Sequence, residues 1–594
     1  MEVAAMVPVN DLIKSVLVAL ASLQLTSDNH PQQATVFDGQ NFDFIVVGAG
    51  SAGSVIASRL SEITDWNVLL IEAGQNPPGF SVVAGLSAYL ARTKYDWNYK
   101  SEDDGYSSQS HKNKNIHYSR GKALGGSSSI NFMYYVRGNK ADYDTWEELG
   151  GHGWGWDNVT YYFKKSEGNQ DQEIMQSDSA DLHNSTGPLK ITRPATDTQT
   201  TKYFEAFGYK HEILTDTNGY KQLGYSLPQY TIADKQRQSA AVAFLSPDTV
   251  KNRPNLFVLK ETLCTKIIFD ENKRATGVEV KLSSDKIISL LATKEVILSA
   301  GAVNSPQLLM LSGIGPQAHL NEKDIQVLVD SPLVGQNLQD HALVPIILTG
   351  KKSLLSAVGN LKILSYIDEL NVSPSLAGFV SLSDDQLYPD YQTIVFPFPT
   401  ASIFSTAICS YVFEWDDQIC TAVAQSGQTK EILFALLTLL QPYSRGRIEL
   451  RTNNPEDTPK IYSGYFSNDT DLEKHVKCVQ DYISVVDSPY LKSLDSEVVD
   501  LKVPQCDGID FNTEEYWKCF VLNMASSFYH PSGTCAMGEE GMSVVDAELK
   551  VRGVSGLRVG DASIIPRITS GNINAPCIMI GEKLADMIKN TYGY

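Results

Sequence analysis

Blocks of apolar and polar positions along the chain predict alternating strands and helices. The run DFIVVGAG at 43–50 reads as a buried strand entering a glycine turn. Residues 51–62 carry apolar positions at helical spacing, and NVLLIE at 67–72 reads as a second buried strand. A strand, a helix and a strand in that order form a βαβ unit, so the sheet they begin is parallel. Residues 106–120 are polar and loop-like, and 125–136 is expected to be a helix opened by glycines and serines. Residues 139–240 are Trp-, Tyr- and Gly-rich connections of weak periodicity. Strand patterns return at 256–259, 265–269, 277–281 and 295–298, followed by a helix at 304–311. The stretch 345–520 mixes both patterns, with a strand at 446–450, and the chain closes on a strand at 557–559 and a helix at 574–588.

Length and charge narrow the partners. The 594 residues allow two domains, and the net charge of −20 argues against nucleic acid, which needs a basic face. At the N-terminus Lys14 precedes a short apolar run, SVLVALASLQL at 15–25. That is the pattern of a signal-peptide core and is too short to span a bilayer. Residues 1–25 are therefore expected to be a signal peptide and the protein to be secreted, with TSDNHPQQATVFDGQ at 26–40 as a linker. No later stretch predicts a transmembrane helix. Sequons occur at Asn158, Asn184, Asn371 and Asn468. None of the eight cysteines has metal-ligand spacing; Cys409/Cys420 and Cys506/Cys519 are close enough to pair, with free buried thiols as the alternative. No metal site is predicted.

Gly48, Gly50 and Gly53 form G-x-G-x-x-G between the first strand and first helix, and the second strand ends in Glu72, followed by Ala73. In that context the pattern predicts a dinucleotide site. Gly48 permits the tight turn, Gly50 lets the backbone approach a pyrophosphate, and Gly53 lets the helix pack on the sheet. Ser51 and Ala52 complete the turn, and the phosphates face the positive end of the helix. Glu72 accepts from ribose hydroxyls and disfavours a 2′-phosphate. The fingerprint alone does not separate FAD from NAD.

Further segments resemble the glucose-methanol-choline (GMC) oxidoreductase family over residues 42–590. They are RGKALGGSSSIN at 120–131 with YYVRG after it, GAVNSPQLLMLSGIGP at 301–316 and LVGQNLQDH at 333–341. HPSGTCAMG at 530–538, GDASIIP at 560–566 and GNINAPCIMIGEK at 571–583 complete the set. The resemblance implies a bound FAD, an alcohol substrate, and oxygen or another electron acceptor. It implies an α/β fold: a discontinuous Rossmann-like FAD-binding domain (40–150, 240–345, 525–594) and an α+β substrate-binding domain with an antiparallel sheet (151–239, 346–524). Arg120 opens the first of these motifs. Gly125, Gly126, Ser127 and Ser128 expose backbone N–H groups suited to a pyrophosphate. Asn131 is expected near the isoalloxazine, and Asp561 and Ala562 lie past the strand 557–559, where α/β sheets place ligands. Asp561 is equally able to cap its own turn.

Alcohol oxidation needs a base for the hydroxyl proton and an acceptor for the hydride. By resemblance His530 is the base. Its partner is an Asn or His near the last helix, and Asn574 is the matching position by count, with Asn572 as the alternative. Ile130 stands where some family members carry the histidine that anchors flavin covalently, so FAD is expected to be non-covalent. Phe132, Phe528 and Tyr529 suggest an apolar pocket wall. Segments such as DYDTWEELG at 142–150 resemble insect members, ecdysone oxidase-like or glucose dehydrogenase-like. The first implies oxidation of a steroid hydroxyl, the second of a sugar; hydroxynitrile cleavage on the same fold is a third reading. His341, at the end of LVGQNLQDH, is expected to pack near the flavin domain.

Overall fold

A computed structural model describes residues 30–193, 198–352 and 375–594. The predicted leader and the Asn371 sequon lie outside the described residues. The first strand, Gln40–Val47, pairs in parallel with Val68–Ile71 on one side and Ile287–Leu298 on the other. Leu256–Leu259 extends the parallel sheet beyond Val68–Ile71, and Leu557–Val559 extends it beyond Leu298. All four residues of Val68–Ile71 are buried, as a strand covered on both faces requires. The opposite half of Ile287–Leu298 pairs with Ala275–Lys281, which pairs with Leu263–Phe269, both antiparallel.

Gly48, at φ 101°, turns the chain from the first strand into the helix Ser51–Leu60. The helix Asn574–Thr591 packs on it through Gly581, where a Cβ would lie 2.8 Å from the Ala52 carbonyl oxygen. A second sheet of six antiparallel strands runs in the order Ser526–Ser527, Ala342–Lys352, Lys430–Leu439, Tyr391–Phe398, Leu376–Val380, Gly224–Ser226. One cavity draws its lining from both sheets: Val47 and Ile71 on one side, Ile394, Phe396 and Leu436 on the other.

The helix expected at 125–136 does not form. Only Gly126–Ser129 makes a single 3-10 turn, because Gly125 (φ 87°), Gly126 (φ 53°) and Met133 (φ 63°) are left-handed. The strand expected at 446–450 shortens to Arg447–Glu449. Strand Ala342–Lys352 runs through the expected domain limit at 345, since its pairing continues unbroken from Leu343 to Thr349. Cys409–Cys420 and Cys506–Cys519 are disulfides, while Cys264, Cys478, Cys535 and Cys577 are free. Among the described residues no helix is long and apolar enough to cross a membrane, and no His/Cys/Asp/Glu group is placed to hold a metal.

Candidate active site

Two glycine turns, distant in sequence, meet at the end of the parallel sheet. The Gly125 N–H donates to the Ala49 carbonyl at 2.7 Å, and a Cβ on Gly126 would stand 2.7 Å from the Gly50 Cα. A Cβ on Gly53 would strike the Gly48 carbonyl oxygen at 1.9 Å, so that glycine is needed for close packing of helix on turn. Gly50 differs: a Cβ there meets nothing within 4 Å. It borders the cavity, which Gly48, Ser51, Ala52, Glu72, Ala73, Arg120, Gly126, Ser127, Asn131, Asp561 and Ala562 also line. The open face at Gly50, above the N-terminus of a ten-residue helix with no side-chain cap, fits a dinucleotide pyrophosphate.

Glu72 accepts from the Ala49 N–H at 3.0 Å and the Gly74 N–H at 2.8 Å. Burial lifts its carboxyl to about 7 against the pull of those two donors. Ser127 Oγ accepts from the Gly121 N–H (3.1 Å), and Ser128 Oγ donates to the Gly125 carbonyl (2.6 Å), so both hydroxyls hold the turn. Asp561 caps its own turn by accepting from the Ser563 N–H (2.7 Å); its other oxygen takes the Gly301 N–H (2.8 Å) and Ser305 Oγ (2.6 Å). Its carboxylate is thus occupied within the protein. Asn131 Oδ1 accepts from the Met133 N–H (3.0 Å) and from Arg237 (2.7 Å).

Arg237 carries no sequence motif. It is 2% exposed and also donates to the carbonyls of Ser81 and Ser128 and to Ser87 Oγ. Burial pushes this guanidinium down to about 9. Arg120 Nη2 donates to the Tyr529 carbonyl at 2.6 Å, fixing the residue before His530.

His530 is buried and borders the cavity. Its Nε2 lies 3.2 Å from Asn572 Nδ2, and its Nδ1 lies 2.9 Å from His341 Nδ1. Asn574 also lines the cavity, but its Oδ1 accepts from Ser51 Oγ at 2.7 Å. The structure therefore brings Asn572, and not Asn574, to His530. Asn574 opens the last helix, whereas Asn572 lies in the non-helical segment before it, where its side chain reaches the ring. Gln392, on the antiparallel sheet, donates Nε2 to Asn572 Oδ1 at 3.0 Å and so turns Nδ2 towards the imidazole. Burial drives His530 well below the ordinary histidine value, helped by His341 and Arg120. Burial thus favours the neutral ring, whose lone pair can accept a proton. Asp340 accepts the backbone N–H groups of both His341 and His530 at 2.9 Å, which sets the two rings side by side.

A dinucleotide cradle, an imidazole and a carboxamide along one cavity define the class of a dinucleotide-dependent oxidoreductase. The GMC oxidoreductase profiles match residues 42–343 (N-terminal) and 442–581 (C-terminal). Ecdysone oxidase of Spodoptera littoralis is 37% identical over 582 residues, covering 96% of this chain and 95% of that protein. Glucose dehydrogenase [FAD, quinone] of Drosophila melanogaster is 34% identical over 567 residues, with 93% and 87% covered. A variant of Aspergillus oryzae formate oxidase, solved to study FAD modification, superposes with a TM-score of 0.79 at 27% identity, covering 94% and 99%. The chain belongs to the GMC oxidoreductase family. It is an FAD-dependent enzyme acting on CH–OH groups of small molecules.

Proposed function

We propose that this enzyme oxidises a secondary hydroxyl of an apolar ring system, an ecdysone-type steroid, to a ketone, with oxygen as acceptor and hydrogen peroxide as product. The carrying observation is the apolar lining of the cavity that His530 borders: Phe132, Ile394, Phe396, Val412, Phe413 and Phe528 line it, the Phe528 ring 4.9 Å from that of His530. A sugar presents a hydroxyl on nearly every carbon and needs a polar partner for each; a steroid face needs apolar contact. Likeness to insect ecdysone oxidases supports the same reading.

The substrate hydroxyl donates to His530 Nε2, and Asn572 Nδ2 holds its oxygen. As the O–H bond breaks, the proton passes to Nε2 and the imidazolium forms. Asn572 takes the positioning role first assigned by count to Asn574, which ties the glycine turn to the last helix. When bound, FAD supplies the two-electron acceptor that no side chain provides. Residues of the two glycine turns, with Glu72, Arg120, Asn131 and the backbone at Asp561 and Ala562, would hold it. Ile130 leaves no nucleophile for a flavin bond there, so the flavin should come off on acid precipitation. The two disulfides fit an oxidising compartment and secretion; recovery of the protein from culture medium tests this. We divide the chain into FAD-binding and substrate-binding parts at the expected limits, except that Ala342–Lys352 and Ser526–Ser527 go with the substrate sheet they pair in.

The deciding experiment is anaerobic flavin bleaching by ecdysteroids, other carbinols and glucose. Fast bleaching by steroids is expected. Bleaching by sugars alone would leave the glucose dehydrogenase reading, which the Drosophila relatives support.

A further inference from the structure

We infer that His341 is a positioning residue that fixes the tautomer of His530, holding the proton on Nδ1 and leaving Nε2 bare towards the cavity. The argument starts at a carbonyl. His341 Nε2 lies 3.2 Å from the Leu440 oxygen, which only accepts. With the Thr569 backbone as a further partner of the ring, this contact to the Leu440 carbonyl places the hydrogen of His341 on Nε2. A neutral imidazole carries one N–H, so His341 Nδ1 presents a lone pair. That lone pair faces His530 Nδ1 at 2.9 Å, with the rings at 84°. Two lone pairs at this distance repel, so His530 Nδ1 carries the hydrogen. Its Nε2 is then the acceptor, and that is the nitrogen facing the Asn572 amide. A second proton on His341 would break this chain of reasoning. Burial prevents it, holding that ring down to about 3.

The relay is built into the sheet. Ala342 pairs with Ser527, and the Phe528 N–H donates to the His341 carbonyl at 3.0 Å, so strand register sets the two histidines together. The charged and titratable groups around His530 are His341, Arg120 and Asp340. Asp340 meets the two histidines through their backbone N–H groups and leaves the ring-to-ring bond alone.

The inference rests on His530 being the base, and the test separates the two. Holoenzyme labelled with [15N]histidine is examined by magic-angle-spinning NMR, the His530 signals being found by their loss in His530→Ala. The expected spectrum shows a protonated Nδ1 and a bare Nε2. In His341→Leu, Nδ1 loses its acceptor; the spectrum should show mixed tautomers, and kcat/KM should fall by about 10²-fold with KM little changed. His341→Asn restores an acceptor near the Nδ1 position and should recover most of the rate and the single tautomer. A protonated Nε2 in the parent enzyme overturns the inference, even if His341→Leu fails to fold. So does a His530 tautomer unchanged in a folded His341→Leu. A shifted tautomer with unchanged turnover would support the relay and remove His530 from the role of base.

Discussion

Ser51 Oγ donates to Asn574 Oδ1 at 2.7 Å, joining the turn that opens the first helix to the first turn of the last helix, 523 residues away. Two asparagines in one short segment thus have different tasks. Asn572→Ala removes the donor beside His530, and kcat/KM should fall by about 10²-fold, as loss of an oriented donor does elsewhere. Asn574→Ala should keep most of the chemistry and lose about 1 kcal/mol of stability, with weaker FAD retention. Stopped-flow flavin reduction and thermal melting of both variants check this. Full reduction rates in Asn572→Ala would return the role to Asn574.

The parallel sheet was legible because its strands carry apolar stretches such as FIVV, VLLI and LFVL, and the predicted 557–559 strand is the observed Leu557–Val559. The segment 125–136 misled because Gly and Ser open helices and also build left-handed turns, and sequence spacing does not distinguish them. The site was legible where a motif carried it: His530, Glu72, Gly48, Gly50 and Gly126 line the cavity, while Gly53, Gly125 and Ser128 are not in its lining. Asn572 against Asn574 was a matter of which side chain reaches back from a helix start, which needs coordinates. Gln392 and Arg237 had no local signal, since each acts on residues more than 100 positions away.

Arg237 is a buried cation whose hydrogen-bond partners are all neutral. Through the Ser128 carbonyl and Asn131 Oδ1 it braces the Gly126–Ser129 turn, whose Gly126 and Ser127 line the cavity. Arg237→Met should raise the FAD dissociation constant by about tenfold or more, the equivalent of 1.4 kcal/mol. Arg237→Lys should recover part of it. Equal FAD affinity in parent and Arg237→Met, by fluorescence titration of the apoprotein, would reduce Arg237 to a structural role.

The Cys409–Cys420 disulfide closes a loop that holds Val412 and Phe413 and begins next to Ile408, all three at the cavity. Arg92 reaches the same loop by pairing with Glu414 at 3.0 Å. Replacing both cysteines with alanine should cost about 2–3 kcal/mol in the chain-entropy picture. It should also raise KM for a bulky carbinol more than it lowers the limiting rate of flavin reduction. An unchanged KM across carbinols of different size would show that the bridge has no part in shaping the wall.

His183 sits between Glu167 (2.9 Å from Nδ1) and Asp216 (2.9 Å from Nε2), with Arg137 on the same Glu167. Burial alone would lower this imidazole, but the two carboxylates outweigh it and the net shift is upward. A histidine raised above its unfolded value near 6.5 adds stability that is complete below that pH and is lost as pH climbs through the folded value. Asp216 is shifted the other way: burial opposes ionisation, the His183 contact overcomes it, and its contribution is lost only in acid, as pH falls below about 4. The melting temperature of the parent should therefore decline on the alkaline side, from about pH 6.5 upward. His183→Gln should melt lower at pH 6 and show a flatter profile above it. If the two profiles run parallel from pH 6 to pH 9, His183 is not the group that titrates there.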